Sequence, residues 1–435
     1  MGCCVQSGCL NFRGFFVNIG LDTSSILVYR NRGIGNYTIN LYRNIIKNDK
    51  NNRYFFLNWS QTSLISFFDI KGNNFKECML GEWQEWKPDR YKEDENEVKK
   101  IIKTFLRINK IDIFLIPALF NWRFPVFRKR WFGRVRLTGV VYDLTPYVLK
   151  NKYFFVEQDF NIYMNYVKAL KEYDFLFATS NSTKYDVIKY GGVSERRITN
   201  VYADSQSNVQ QSLDIKKVQR IKKKYQIEEK FLLFVGGTGI NKNVPAVIKA
   251  FSVAQINNTK YNFQLVIVCS LSEKERIEWK GLIQKENLIN KVILTGFISD
   301  PELDILYESA SWAVFPSLYE GFGLPVLEAW RHGLPVMASN NSSVYEISKG
   351  AAVHVDPFNE ESISKGFIKI MNMDEEERQR WIKRGEKRAS YFSWEKTAKK
   401  IIRIFNMLGQ RKRIIGRNFG KYSKSCKREG KVAGK

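Results

Sequence analysis

Two glutamates flank a glycine-rich turn in the C-terminal half of the chain. Glu320 precedes the glycines Gly321 and Gly323, and Glu328 stands about one helical turn after Leu324, where an apolar helical run begins. Glycines let backbone N–H groups approach a ligand closely, and a helix N-terminus attracts anions. Carboxylates do not bind phosphate but accept hydrogen bonds from hydroxyls. These residues therefore describe a nucleotide-sugar pocket, and the alternative is an ordinary turn with solvated acids.

The elements that position this turn are a strand and a helix. The apolar run Trp312–Phe315 predicts a short buried strand, and residues 324–330 predict a helix. Pro325 suits the first helical turn, where a missing N–H costs nothing.

A second glycine-rich turn, residues 236–239, follows a predicted strand at 231–235. Lys242 stands just beyond it, and Asn243 is predicted to cap the next helix. Flexible glycines such as Gly237 and a lysine at a helix start form a phosphate cradle, in which the lysine supplies a compact counter-charge. The alternative for Lys242 is a solvated helix start.

The N-terminal half carries weaker candidates of the same kind. A strand is predicted at 15–19, and Gly33-Ile34-Gly35 is predicted to turn from it into a helix, a second anion-ready arrangement or a simple tight turn. Residues 137–146 predict a strand that ends in a polar turn, and Asp143 lies there either as an active-site acid or as a turn or helix cap.

Predicted strands and helices alternate through both halves of the chain. This alternation predicts an α/β protein with parallel, doubly wound sheets. Ligands bind at the carboxyl ends of such strands, so the turns after Val235, Thr295 and Phe315 are expected at one edge. The domain boundary is expected within 203–229, and the polar segment 72–97 reads as an insertion or a loop-helix segment.

Several stretches resemble one known family. Residues 320–329 closely resemble the Glu-Gly-Phe-Gly-Leu-Pro-x-x-Glu-Ala signature of the family-4 retaining glycosyltransferases. Gly33-Ile34-Gly35 is similar to the family's N-terminal loop. Lys242 matches the family's Arg-Lys-Asn motif, with Asn241 in place of arginine, and Asp143 matches its His-Asp strand end, with Tyr142 in place of histidine. The resemblance runs from about residue 15 to residue 407.

The resemblance implies the GT-B fold, two Rossmann-like doubly wound domains facing across a cleft. The implied division is an N-terminal extension at 1–14, an acceptor-side domain at 15–215, a nucleotide-sugar-binding domain at 216–409 and a basic tail at 410–435. The last helix of the second domain is expected to return to the first.

The resemblance also implies an activity. A retaining glycosyltransferase would move a hexose, mannose by analogy, from a GDP- or UDP-linked donor to a glycan or lipid-linked acceptor in surface polysaccharide synthesis. Attack from the side of the leaving group is preferred, since no carboxylate stands out for the far face of the sugar. No Asp-x-Asp pair occurs, so no metal cofactor is expected.

The implied catalytic residues are Glu320, which would orient the hexose, and Asp143. The expected donor-binding residues are Gly35, Gly237, Lys242, Phe297, Gly321, Phe322, Gly323, Leu324 and Glu328, the last gripping the ribose.

Composition narrows the classes of function. The 435 residues suit two or three folded domains, and only two histidines argue against a histidine triad or a histidine-rich metal site. The six cysteines lack metal-site spacing, and no apolar run is long enough to span a bilayer. The expected location is cytoplasmic, with a peripheral position at the inner face of the membrane as an option.

Charge leaves alternatives open. The net charge is +26, and residues 410–435 hold ten Lys/Arg against one acid. The tail lacks helical periodicity and reads either as a contact with an anionic membrane or as a disordered, solvated end. A nucleic-acid-binding protein is a rival, although no RNA-binding signature appears and no nucleic-acid partner is expected. A catalytically inactive GT-B-like partner subunit is the other, supported by Tyr142 and Asn241.

Overall fold

The computed structural model describes residues 16–29, 33–79, 91–121, 124–154, 156–205, 214–228, 230–257 and 262–425. The extension predicted at 1–14 and the last ten residues of the tail lie outside these ranges. Within them the chain forms two β-sheets, with helices between successive strands.

The first sheet has seven strands in the order β3-β2-β1-β4-β5-β6-β7. The strands are β1 (Asn18–Asp22), β2 (Arg53–Asn58), β3 (Phe75–Met79), β4 (Ile113–Ile116), β5 (Arg136–Val141), β6 (Phe175–Ala178) and β7 (Ile198–Asn200). The first strand begins three residues later than predicted. The edge strand β3 lies inside the segment 72–97, which was expected to be an insertion or a loop-helix segment. This strand was not predicted because it is only half buried and carries charged residues among its apolar ones.

Helices accompany this sheet in chain order. They are α1 (Ser24–Tyr29), α2 (Gly33–Asn48), α3 (Ile65–Phe68), α4 (Tyr91–Ile108), α5 (Thr145–Val148), α6 (Lys150–Tyr153), α7 (Glu157–Ala169) and α8 (Asn181–Lys189). The predicted turn at Gly33-Ile34-Gly35 is wrong, because these residues form the first turn of α2 and Gly35 is buried there.

The second sheet has six strands in the order β10-β9-β8-β11-β12-β13. They are β8 (Lys230–Val235), β9 (Phe263–Val268), β10 (Val292–Gly296), β11 (Trp312–Phe315), β12 (Val336–Ser339) and β13 (Val353–Val355). The helices are α9 (Ile215–Lys224), α10 (Val244–Asn257), α11 (Glu273–Lys285), α12 (Asp300–Ser309), α13 (Leu324–Arg331), α14 (Ser342–Ser348), α15 (Glu360–Asn372), α16 (Glu375–Ala389) and α17 (Trp394–Ser425).

Both sheets have the doubly wound order in which the chain starts centrally and reverses direction. The β1-β4 and β8-β11 pairs mark the points of reversal, and both pairs are parallel. The predicted α/β class with Rossmann-like sheets is therefore confirmed. Such a reversal opens a crevice at the carboxyl ends of the two strands, where ligands bind in this class of fold.

The core of the second sheet explains why its helices form. Apolar side chains of β8, β9 and β11 pack against those of α10 and α15 in one buried cluster. The rings of Phe251 on α10 and Phe367 on α15 meet edge to face at 5.6 Å. The helices thus bury one apolar stripe each and hold the strand ends in place.

The chain divides into two compact units. One comprises Met1–Val140, Glu172–Phe175 and Thr397–Lys435, and the other comprises Val141–Lys171 and Leu176–Lys396. The two sheets lie on either side of the predicted boundary at 215/216, whereas these units divide the chain near residue 140. The domain boundaries at 15–215 and 216–409 stay a prediction.

Helix α17 continues well beyond the predicted end near residue 407. It runs to Ser425, so the expectation of a tail without helical structure is wrong over residues 410–425. Ile415, Phe419 and Tyr422 recur at helical spacing, and arginine and lysine are good helix formers. No helix in the described part of the chain is long and apolar enough to cross a membrane.

Candidate functional site

The turn after β11 has the predicted strand-turn-helix form. Residues 316–323 leave the sheet edge, and α13 begins at Leu324 with Pro325 in its first turn. Gly323 precedes the helix with a φ of 104°, in the left-handed region that favours glycine. The N–H groups of the first turn of α13 are thereby presented at the reversal point of the second sheet.

The turn after β8 meets this turn through an ion pair. Lys242 ends a short 3₁₀ helix, Ile240–Lys242, and its Nζ lies 2.7 Å from Oε1 of Glu320. Both side chains are mostly buried, with exposed fractions of 22% and 13%. Two residues predicted separately from the sequence therefore share one site, between the carboxyl ends of β8 and β11.

Helix α14 holds the backbone of Glu320 in place. The N–H of Glu320 donates to Ser342 Oγ at 3.3 Å, and Ser343 Oγ donates to the carbonyl of Glu320 at 2.7 Å. Lys242, Glu320, Gly323 and Pro325 line one small depression. The carboxylate is thus fixed beside the lysine and the start of α13.

Glu328 lies on α13 and is bonded within the protein. The hydroxyl of Tyr307, on α12, donates to its Oε2 at 3.0 Å. Burial raises the pKa of the Glu328 carboxyl, and the positive charge of Lys242 opposes that effect. The lysine charge therefore reaches both glutamates of the predicted pocket.

Asp143 also lies at this site, and its side chain stabilises the turn that leads into α5. Its Oδ1 accepts a hydrogen bond from the N–H of Thr145 at 2.8 Å, at the start of α5. Burial raises the pKa of its carboxyl, the negative charge of Glu320 raises it further, and Lys242 lowers it. The two readings of Asp143 are therefore not exclusive.

Close backbone packing joins the Asp143 segment to the Glu320 turn. A Cβ built on Gly321 would lie 2.0 Å from the carbonyl oxygen of Tyr142. The hydroxyl oxygens of Thr179 and Thr183 each lie within hydrogen-bond distance of both carbonyls, at 2.7 and 3.0 Å from Tyr142 and at 3.1 Å from Gly321, so the one proton of each hydroxyl is shared between them. Two threonines thus bridge the segments, and sequence reasoning missed both because nothing local marks them.

Asn241 has a structural role. Its Oδ1 accepts from the hydroxyl of Tyr153 at 2.7 Å, and its Nδ2 donates to the carbonyl of Tyr319 at 3.1 Å. Its own carbonyl accepts from the N–H of Leu318 at 2.7 Å. Asn241 therefore joins the two glycine-rich turns. Tyr153 is a second residue without a local sequence signal.

Asn243 occupies the predicted N-cap position of α10, since its carbonyl accepts from the N–H of Val247 at 3.1 Å, but its side chain bonds elsewhere. It has a φ of 63°, and its Nδ2 donates to the carbonyls of Pro316 and Pro357 at 3.2 and 2.8 Å. Its carboxamide thus fixes the start of the β11 turn, because the left-handed backbone directs it away from the helix.

Asp186, on α8, supports the same turn. Tyr319 Oη donates to its Oδ2 at 2.6 Å. Burial raises the pKa of Asp186 to about 6, although the Tyr319 hydrogen bond lowers it. Since Tyr319 directly precedes Glu320, this bond restrains the catalytic candidate, and it too was missed.

A further carboxylate, Glu346 of α14, occupies the N-terminus of α8. It accepts from the N–H groups of Asn181 and Ser182, both at 2.8 Å, and from Tyr202 Oη at 2.7 Å.

Phe322 packs beside Tyr202, with ring centroids 6.2 Å apart, and is buried. This predicted donor-binding residue therefore has a packing role.

The remaining predicted residues differ in their surroundings. Gly237 is open, with no atom within 4 Å of where a Cβ would lie. Phe297 follows β10 and is 73% exposed. Gly35 lies in α2, in the other compact unit. Their roles in donor binding stay predictions.

Comparison with known proteins identifies the surrounding segment. Residues 216–388 match the family model of glycosyl transferases group 1. The chain is 30% identical over 277 residues to the serotype-specific mannosyltransferase WbdA of Escherichia coli, covering 62% of this chain and 33% of WbdA. It is 29% identical over 186 residues to O-antigen chain mannosyltransferase B of the same species, covering 42% and 48%. The chain thus spans a third to a half of the curated relatives it matches.

Solved structures give the fold. The crystal structure of Anabaena HepE in complex with UDP and glucose matches with a TM-score of 0.63 and 13% identity, over 90% of this chain and 99% of HepE. At this identity the match shows the fold alone, and it agrees with the GT-B expectation.

Proposed function

We propose that the protein is a retaining glycosyltransferase, and the proposal proceeds from the match of residues 216–388 to the family model of glycosyl transferases group 1. It moves a hexose from a nucleotide-diphosphate donor to a glycan or lipid-linked glycan. The observation that carries the proposal is the Lys242–Glu320 pair, 2.7 Å apart at the reversal point of the second sheet. A cation for phosphate and a carboxylate for hydroxyls stand there side by side.

The donor proposal rests on chemistry and on relatives. Lys242 and the N–H groups at the start of α13 suit a diphosphate. Glu320 accepts from hexose hydroxyls and Glu328 from the ribose. The relatives named mannosyltransferases favour mannose, and HepE was crystallised with UDP and glucose. We therefore propose a GDP- or UDP-linked hexose, with a mannosyl donor first.

The proposed reaction exchanges one bond for another. The bond between the anomeric carbon and the β-phosphate oxygen breaks, and the acceptor oxygen attacks from that same face. The acceptor proton passes to the departing phosphate oxygen, so no carboxylate is needed on the far face. Lys242 and the peptide dipoles stabilise the departing charge in place, which lowers the barrier without reorganisation. Asp143, beside Glu320, orients the reacting sugar.

The proposed setting is surface polysaccharide synthesis on the cytoplasmic side of the membrane. O-antigen is part of the printed name of one relative, which favours a glycan acceptor. The basic tail at 410–435 would contact the anionic inner face, and no nucleic-acid partner is proposed.

Two measurements test the proposal. A thermal-shift screen of nucleotide sugars should raise the unfolding midpoint of the chain, because a ligand that binds only the native state stabilises it. Donor hydrolysis and transfer by the purified chain then separate an enzyme from an inactive partner subunit. If no nucleotide sugar shifts the midpoint and no donor is consumed, the proposal fails.

Variants test the assignment of the glutamates. Glu320→Ala should lower kcat about 100-fold, as loss of a group acting on the transition state does. Glu328→Ala should raise the donor KM about tenfold with a smaller effect on kcat, since it removes a ribose contact. Glu360→Ala, on exposed α15, is the control. Equal and negligible effects of the first two variants would refute the roles.

A further inference from the structure

Helix α9 presents a strongly basic surface that the proposed reaction does not use. Its ten residues hold six Lys/Arg and no acid. Five of these fall within one third of the helix circumference at 100° per residue. We call them the basic face of α9: Lys216, Lys217, Arg220, Lys223 and Lys224. All five are exposed.

The side of α9 next to this face holds the helix in place. Ile221 on that side is 3% exposed, and the helix packs against α12. Lys224 Nζ lies 2.5 Å from Glu302 Oε1 on α12, which anchors the last turn. The face is thus a fixed feature of the folded unit.

The positive charge of this face is largely uncompensated. Lys217 lies 3.8 Å from Asp214, the N-cap. No ion pair joins Lys216, Arg220 or Lys223 to any residue that the structure describes. Three unpaired cations at positions i, i+4 and i+7 therefore face solvent in one row.

The chemistry of the face favours a lipid surface over a nucleic acid. Four of the five cations are lysines, which act as point charges, whereas arginine forks dominate geometric recognition of phosphates. No aromatic side chain on α9 offers a stacking platform for bases.

We propose that the basic face of α9 binds the surface of an anionic lipid bilayer. The inference goes beyond the transferase proposal and adds a membrane contact on a helix that is separate from the basic tail. Each cation near such a surface multiplies the partition coefficient about fivefold, so three unpaired cations give about 100-fold. The attraction is screened by salt.

Co-sedimentation with vesicles tests the proposal. The full chain should bind vesicles of phosphatidylcholine with about one third phosphatidylglycerol, should not bind phosphatidylcholine alone, and should dissociate as salt rises. The variant K216Q/R220Q/K223Q should lose about 100-fold in partition. Its unfolding midpoint should not move, because the side chains are exposed and unpaired.

The matched control is K100Q/K103Q/R107Q on α4, which removes the same residue types and charge from another exposed helix face. It should change the partition far less. Equal losses in the two variants, or no binding to anionic vesicles, would overturn the proposal. A third outcome would also overturn it: the α9 variant keeps its full binding to anionic vesicles, and a variant without residues 426–435 loses that binding. This result would assign the contact to the tail.

An oligonucleotide competitor closes the remaining alternative. Anisotropy with a labelled single-stranded oligonucleotide should show weaker binding than to vesicles. If the α9 variant loses oligonucleotide affinity while keeping vesicle affinity, the face binds nucleic acid and the proposal is wrong.

Discussion

Asn241 decides how much positive charge the proposed diphosphate site holds. The family-4 motif has arginine at this position, whereas here the carboxamide bonds Tyr153 and the carbonyl of Tyr319. Its atoms are thus committed to joining two turns. Lys242 remains as the cation of the cradle, and it is paired with Glu320.

Lys242→Ala should therefore weaken binding of a nucleoside diphosphate about tenfold or more, because a charge-assisted contact is lost. Affinity for the corresponding nucleoside should not change, since it lacks the phosphates. Titration calorimetry with both ligands gives the comparison. Lys249→Ala, on the exposed side of α10, should leave both affinities unchanged. A loss that is equal for nucleoside and diphosphate would contradict the role.

Asp22 is a buried acid at the carboxyl end of β1, outside the Lys242 site. Its carboxylate accepts from Trp59 Nε1 at 2.7 Å and from Ser24 Oγ at 2.6 Å. Burial nevertheless raises its pKa from 3.8 to about 6. A carboxyl whose pKa is higher in the folded than in the unfolded state favours folding while it is protonated. This contribution to the free energy of unfolding is fully present below the unfolded pKa, and it is lost as pH rises through the folded pKa.

The wild type should thus lose about 3 kcal/mol of unfolding free energy between about pH 4 and pH 7 that an Asp22→Asn variant does not lose. Urea unfolding of both proteins across that range measures the difference in slope. Asp69→Asn, an exposed position in the same unit, should follow the wild-type slope. Parallel slopes for wild type and Asp22→Asn would show that Asp22 does not titrate in this range.

Residues with a local pattern could be predicted, and residues that act by distant pairing could not. Glu320 and Lys242 were each placed by a glycine-rich turn beside a strand. Their pairing across 78 positions has no local signal, nor has that of Tyr319 with Asp186 across 133. Such pairs follow from the order of the strands, which the sequence pattern alone does not specify.

At the scale of elements, the β11 turn depends on the absence of a side chain at Gly321. A Cβ there would meet the Tyr142 carbonyl at 2.0 Å and the Asp143 Cβ at 2.6 Å. Both contacts are too short, and one is to rigid backbone. The turn and the Tyr142–Asp143 segment after β5 can therefore pack this closely only with glycine at position 321.

Gly321→Ala should lower the unfolding free energy by about 1–3 kcal/mol, as overpacking does, and should displace Glu320 and abolish transfer. Gly237→Ala is the matched control, because no atom lies within 4 Å of the carbon that this substitution would add. Chemical unfolding of both variants makes the comparison. Equal destabilisation by the two substitutions would show that contact with Tyr142 is not the cause.

The predicted elements were most accurate where an apolar strand met a glycine turn. β11 has the predicted bounds, and α13 begins at Leu324 as predicted. The turn at Gly33–Gly35 failed because glycine is tolerated in the first turn of a helix as well as in a loop. The helix at 410–425 was missed because a dense positive charge obscured its apolar spacing.

At the scale of the whole molecule, the second sheet brings the candidate residues together at one edge. Its order places β8 beside β11, so the turns that follow both strands meet where the winding reverses. The alternation of elements predicted this edge. It did not predict that segments from 142 to 186 would pack against it, because those contacts depend on how distant parts of the chain fold together.

The positive groups at this edge lead to a prediction about whether transfer needs a metal ion. The chain has a net charge of +26, Lys242 lies at the edge, and peptide N–H groups open α13. Preorganised cations and dipoles of this kind can stabilise a departing diphosphate. Transfer measured after treatment with EDTA should therefore keep the untreated rate, and manganese should not restore a Lys242→Ala variant. A rate that vanishes under the chelator and returns with manganese would mean that a metal ion, and not Lys242, balances the leaving group.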